Sequence, residues 1–176
     1  MHKLYLITGP AGVGKSTVSK VIAENMKKSA LIEGDDIYHF VKGGYINPWL
    51  EGNHLDIFWE NSISIIKNLL NDGYDVVFNY IISKDKLEMI MKNFSEFEIR
   101  FVVLMVDEPT LVKRDKERPL DCQMGERSLD LLNDFKNENY DKKFVLDTSG
   151  LTVEKTVKKI ETDIRFLLQN SISQYK

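Results

Sequence analysis

The segment Gly9-Pro10-Ala11-Gly12-Val13-Gly14-Lys15-Ser16 spells Gly-x-x-x-x-Gly-Lys-Ser, a spacing whose chemistry is the binding of phosphate. Glycines at 9, 12 and 14 let the backbone turn and approach an anion, so that successive N–H groups and a helix N-terminus converge on it. Lys15 then reaches the β- and γ-phosphates, and the Ser16 hydroxyl is offered to Mg²⁺. The expected ligand is ATP, held by Gly9, Ala11, Gly12, Val13, Gly14, Lys15, Ser16 and the adjoining Thr17. A glycine-rich turn with no ligand is the competing reading. The motif's place, after the strand-like run 3–8 and at the head of a helical segment, favours the phosphate.

A second concentration of suitable side chains lies at Arg114, Arg118 and Arg127, three of only five arginines in the chain. Arg114 and Arg118 are four apart, hence on one helix face, and their planar forks suit phosphate oxygens whose charge is redistributed during transfer. The plainer alternative is a solvated helix face with Asp115, Glu117 and Glu126 as ion-pair partners.

Such groups need a rigid sheet edge beneath them. Apolar runs of strand length recur at 4–7, 30–32, 75–78, 99–106 and 144–146. They are near-continuous rather than alternating, which suits parallel strands covered on both faces. Helical spacing falls at 15–28, 35–41, 55–71, 84–94, 109–117, 126–137 and 152–169. Ser83 and Thr152 are expected as N-caps, Pro109 in a first turn, and Gly73 after a helix end. The result is a doubly wound α/β sheet whose ligand edge is the carboxyl edge. The irregular stretches 42–53 and 118–125 emerge there.

The chain has 176 residues, 43% of them hydrophobic, which fits one domain spanning 1–176. A net charge of −3 gives no footprint for nucleic acid. The single Cys122 cannot form an internal disulfide, and Met1-His2-Lys3 leads into a run too short for a signal core or membrane helix. A soluble, cytoplasmic protein with no membrane partner is expected. The sequence sets no oligomeric state.

With Gly-Pro-Ala-Gly-Val-Gly-Lys-Ser-Thr near the start and Leu31-Ile32-Glu33-Gly34-Asp35-Asp36 at the second strand, the chain resembles the small P-loop kinases. That group includes gluconate, adenylylsulfate, shikimate and adenylate kinases, chloramphenicol phosphotransferase and the kinase module of polynucleotide kinase. No Asn-Lys-x-Asp or Asp-x-x-Gly element of a GTPase is present. The resemblance implies the three-layer P-loop NTPase fold, a five-stranded parallel sheet in the order 2-3-1-4-5, a short lid at 114–127 and an acceptor loop at 38–53. It also implies transfer of the γ-phosphate to a hydroxyl of a small molecule such as a sugar acid, another metabolite or an antibiotic. A nucleoside or nucleotide kinase is the runner-up, and an ATP-binding regulator without transfer activity is the reading from another class.

By the same resemblance Asp35 is the base beside the acceptor hydroxyl, Arg114, Arg118 and Arg127 are lid arginines, and Leu151 lies by the adenine after the turn Asp147-Thr148-Ser149-Gly150. Asp36 is either a substrate contact or a helix-start residue. Glu33, within the strand, is assigned to the local fold or to substrate polarity. The acceptor side draws on His39, Tyr45, Trp49 and Tyr80, with Phe40 and Trp49 alternatively packing on the core. One departure stands out: the third strand ends in Asn79 where many P-loop proteins place an acid that holds the Mg²⁺ shell. Mg²⁺ would then rely on Ser16 and the nucleotide, with Asp35 as a further candidate.

Overall fold

The computed structural model describes residues 2–50, 52–120 and 123–168. Cys122 and the expected helix end at Gln169 lie outside them. Five strands, β1 (Lys3–Thr8), β2 (Ser29–Glu33), β3 (Asp75–Asn79), β4 (Glu98–Met105) and β5 (Val145–Asp147), form one sheet in the order β2-β3-β1-β4-β5. Every pairing is parallel, so each connection must cross back over a face, and helices supply those crossings. This is the expected three-layer order.

The two-residue period of the strands divides the core. Leu4, Leu6, Val76, Phe78, Phe101 and Val103 face one layer, where they meet Phe58, Ile66 and Leu70 of α3 (His54–Asn71) and Ile90 of α4 (Lys84–Asn93). Tyr5, Ile7, Val77, Val102 and Leu104 face the other, against Val18 and Ile22 of α1 (Lys15–Glu24) and residues further along the chain. Those partners are Leu111 of α5 (Glu108–Lys116), Leu132 of α6 (Glu126–Asn137) and Val157 and Ile160 of α7 (Val153–Thr162). Phe78 and Phe101 are fully buried. Truncating either to alanine would cost about 3–5 kcal/mol.

Several boundaries differ from expectation for local reasons. Helix α1 stops at Glu24, not 28, because the Ser29 hydroxyl takes the Ala23 carbonyl and turns the chain towards β2. The helix expected over 35–41 is only α2 (Gly34–Tyr38), and the Tyr38 hydroxyl donates to the Ile46 carbonyl, closing the following loop. Helix α7 ends at Thr162 and passes through an extended Asp163 into the 3-10 turn Ile164–Phe166. Buried Arg100 of β4 donates to the carbonyls of Ile160 and Asp163, holding that end on the sheet. Thr152 caps α7 through Lys155 N, and Pro109 sits in the first turn of α5, capped by Asp107. Ser83 precedes α4 as expected, but its hydroxyl donates to Asp85 instead of accepting from the backbone. No helix among the described residues is long and apolar enough to cross a membrane.

Candidate active site

The phosphate loop runs between β1 and α1 at the carboxyl edge of the sheet. Gly9 is forced by its neighbours: at φ +141° a β-carbon there would sit 2.3 Å from the Leu104 carbonyl oxygen of β4. Buried Val13 anchors the loop on the core, and Gly14 precedes the first turn of α1. The Lys15 ammonium donates to the carbonyls of Gly9 at 2.8 Å and Pro10 at 3.0 Å, which tethers it across the loop it serves. Burial lowers its pKa to about 8; the carboxylates of Asp35 and Glu33 oppose that shift, and the Arg118 guanidinium adds to it. A cavity of about 560 Å³ opens above, lined by Ala11, Gly12, Val13, Gly14, Lys15, Ser16 and Thr17 from the loop side. Its size is that of ligand-binding clefts.

Glu33, Asn79 and Ser16 meet on the wall of this cavity. The register of β2 on β3 sets Glu33 opposite Asn79, and the Asn79 amide donates to the Glu33 carboxylate at 2.6 Å and to Ser16 Oγ at 3.2 Å. The Ser16 hydroxyl in turn donates to the same Glu33 oxygen at 3.1 Å. Glu33, read from the sequence as serving the local fold or substrate polarity, therefore lines the cavity beside Ser16. Burial pushes its carboxyl upward, and Asp36 and Asp35 add to this, while the Ser16 hydrogen bond and Lys15 oppose it. Among the described residues no group of three or more His, Cys, Asp or Glu is placed to hold a metal unaided. One hydroxyl and one carboxylate nonetheless fit Mg²⁺, which keeps most of its waters and borrows phosphate oxygens.

Asp35 lines the same cavity from the first turn of α2, while Asp36 is exposed on that turn and lines no described cavity. Between Glu33 and Asp35, Gly34 is buried, and a β-carbon on it would lie 2.5 Å from the Tyr80 ring. That close approach fixes where the two carboxylates stand. Tyr80 packs on Phe58 with ring centroids 4.4 Å apart. Burial first, then the Asp35 carboxylate, push its phenol far above the ordinary value, so it is neutral at physiological pH.

Two of the three expected arginines reach the cavity. Arg114 braces it, donating to the Val13 carbonyl at 2.9 Å and the Thr148 carbonyl at 3.2 Å, so that the phosphate loop and the turn after β5 share one guanidinium. Arg118 lines the cavity and pairs with Asp115 at 3.5 Å. Arg127 does not line it: its guanidinium lies 3.7 Å from the centroid of the Trp49 ring. The arginine expected on phosphate is thus engaged with Trp49, in the segment between α2 and α3.

Asp115 organises this region. It is buried and accepts from the backbone N–H groups of Met124 and Gly125, pinning the end of α5 to the start of α6. Burial alone would raise its pKa, but those two N–H groups and Arg118 outweigh it and hold the carboxyl below its usual value. The alternative reading made Asp115 a solvated ion-pair partner; it does pair with Arg118, but from a buried position where it also staples two backbone N–H groups.

Among the residues expected to contact an acceptor, His39 is exposed and stacks on Tyr45 at 5.7 Å, and it lines no described cavity. Tyr45 edges onto Tyr38. Trp49 and Phe40 are exposed by 59% and 66%, so neither packs on the core. At the far end, Thr148, Leu151, Val153 and Thr156 line the cavity, with the Ser149 hydroxyl accepting from Asp107 N to set the turn.

A family profile described as "AAA domain" matches residues 6–143. No curated protein sequence matches the chain. Among solved structures, a sugar kinase from Janibacter sp. HTCC2649 superposes with a TM-score of 0.70 at 13% identity, covering 94% of this chain and 96% of the other. The Deinococcus radiodurans tunicamycin resistance protein gives 0.68 at 16% identity, covering 96% and 99%. A gluconokinase from Sinorhizobium meliloti 1021 gives 0.64 at 17% identity, covering 90% and 89%. At these identities the likeness is one of fold.

Proposed function

This chain belongs to the AAA domain family, and on that premise we propose that it is an ATP-dependent phosphotransferase acting on a hydroxyl of a small molecule. The observation that carries the reading is the convergence of Lys15, Ser16 and two separate carboxylates, Glu33 and Asp35, on one cavity. The kinase names of similar folds are in keeping with it.

In this reading the loop amides and Lys15 hold the β- and γ-phosphates, and the apolar wall at Leu151 takes the base. A bound Mg²⁺ would supply neutralisation of the phosphate charge. Ser16 and Glu33, the latter fixed by the Asn79 amide, are the residues that would hold it, Ser16 through its hydroxyl and Glu33 through its carboxylate. Asp35 accepts the acceptor's hydroxyl proton as the hydroxyl oxygen bonds to the γ-phosphorus. The bond from that phosphorus to the bridging oxygen breaks, and ADP leaves with the electron pair. Arg118 faces the charge that moves, and Arg114 keeps the loop and the base end at a fixed spacing.

A binding protein without transfer chemistry gains its support from Asn79, and the Glu33 carboxylate beside that amide removes much of it. The test is a coupled ADP-release screen over sugars, sugar acids, nucleosides and hydroxylated aromatics, with Lys15→Ala as the blank. Acceptor-dependent release absent from the blank supports the proposal. ATP binding with no acceptor-stimulated release across all classes counts against it.

A further inference from the structure

A second cavity of about 160 Å³ lies between α2, the segment that follows it and α3. Helix α2 serves both cavities: Asp35 lines the first, and Ile37 and Tyr38, within one turn of it, line the second. The walls are mostly aromatic and aliphatic, with His54 and Asn61 as the polar exceptions, and no Lys, Arg, Asp or Glu lines them. Lys42, although in the same segment, does not reach the cavity. At the rim, Phe40, Val41 and Ile57 leave 66%, 43% and 56% of their surface to water, an unusual concentration of exposed apolar side chains.

One polar group inside is unpaired. His54, the first residue of α3, lines the cavity, and both of its ring nitrogens are buried without a hydrogen-bond partner among the described residues. A neutral imidazole has one donor and one acceptor, and buried groups of that kind are normally satisfied.

We infer that this cavity is the acceptor subsite, and that the acceptor is a neutral molecule with a ring-sized apolar portion, a polar atom for His54 and a hydroxyl extended towards Asp35. The inference rests on the phosphotransferase reading. Size sets the ring, because an apolar cavity of about 150 Å³ accommodates benzene. Charge sets the neutrality: a carboxylate or phosphate placed here would lose its water with no cation in return. The cations that would receive one, Lys15, Arg114 and Arg118, all line the first cavity.

The experiment pairs binding with turnover. Fluorine NMR of 4-fluorobenzyl alcohol titrated at millimolar concentration reports binding to the full chain with ATP analogue present. Val41→Trp and Ile57→Trp, both at exposed rim positions, fill the cavity from opposite sides; ATP affinity and denaturation midpoint check that each is folded. Saturable binding weakened by about tenfold or more in both variants is expected. His54→Phe should erase a preference of about fivefold for 4-hydroxybenzyl alcohol over benzyl alcohol. ADP release should follow the neutral ring alcohols and not gluconate or shikimate. Absence of saturable binding, binding indifferent to both tryptophans, or turnover of the anionic compounds with the ring alcohols excluded would overturn the inference, the last outcome leaving the phosphotransferase reading intact. Binding as described with no ADP release from any hydroxyl compound would defeat the phosphotransferase reading and with it the acceptor role, leaving a binding site for neutral ring compounds.

Discussion

The Asn79 amide donates to the Glu33 carboxylate at 2.6 Å, across neighbouring strands whose register pairs these two residues. The Ser16 hydroxyl is bonded to the same oxygen, so in the proposed reaction the end of β2 would supply the acid that the end of β3 lacks. Glu33→Gln should weaken Mg²⁺-dependent ATP binding by about tenfold while leaving metal-free binding nearly unchanged. Asn79→Asp alone sets two carboxylates in hydrogen-bond contact and should also weaken it. The double variant, Glu33→Gln with Asn79→Asp, moves the acid to β3 and should recover much of the loss. Titration calorimetry with and without Mg²⁺ reads all three. Equal losses in both conditions would contradict the metal role.

Two groups of opposite sense frame the pH dependence. Lys15, lowered to about 8 by burial, is charged below that value and loses its proton as pH rises through it. A bound triphosphate favours the charged form, so ATP binding should weaken above pH of about 8 and take up protons there. Glu33, raised by burial, must be ionised to serve Mg²⁺, so Mg²⁺-dependent binding should fall as pH drops through its raised value. Calorimetry in buffers of different ionisation enthalpy measures the uptake. Glu33→Gln should remove the acid limb and Lys15→Ala the alkaline one.

Gly34→Ala tests the spacing of the two carboxylates. The added methyl would lie 2.5 Å from the Tyr80 ring, so Tyr80 or α2 must move. A loss of about 1–3 kcal/mol by chemical denaturation is expected, with a drop in kcat at nearly unchanged ATP affinity. Unchanged stability and turnover would show that the contact relaxes freely.

Asp115→Ala leaves the Met124 and Gly125 N–H groups without their acceptor and should destabilise the chain by about 1–3 kcal/mol. Because the fold holds this carboxyl below its ordinary value, its contribution is present at neutral pH and is lost as pH falls through the folded pKa. The variant's stability should therefore converge with that of the parent in acid. Proteolysis between α5 and α6 should quicken at neutral pH.

Arg127 and Trp49 should be coupled to each other and not to ATP. A double-mutant cycle with alanine at each is expected to give a coupling of about 0.5–1 kcal/mol, the range of an exposed cation–π contact. ATP affinity of Arg127→Ala should stay near that of the parent. A large loss of ATP affinity would place this arginine on phosphate after all.

Five apolar runs separated by helical spacing made the doubly wound parallel sheet legible, the strand order came with the resemblance to the small P-loop kinases, and the phosphate loop was legible because its residues are contiguous. What stayed hidden depends on register and chain reversal. Glu33 reads as an ordinary strand end until β2 lies beside β3 and brings it to Asn79. Asp115 reads as one charge among several on a helix until the chain returns at Met124 and Gly125. His54 carries no local signal at all, since only burial leaves its nitrogens unpaired. Arg127 shows the opposite limit: clustering in sequence with Arg114 and Arg118 does not bring it to their cavity.

Phosphoryl transfer itself is tested most directly by following the γ-phosphorus of ATP by ³¹P NMR with an acceptor found in the ADP screen, for the parent chain and for Asp35→Asn. A phosphate ester of the acceptor should appear with the parent. Asp35→Asn should bind ATP as tightly and form that ester at least about a hundredfold more slowly. Full transfer by Asp35→Asn would contradict the assignment of the base, and no ester from the parent would contradict the account as a whole.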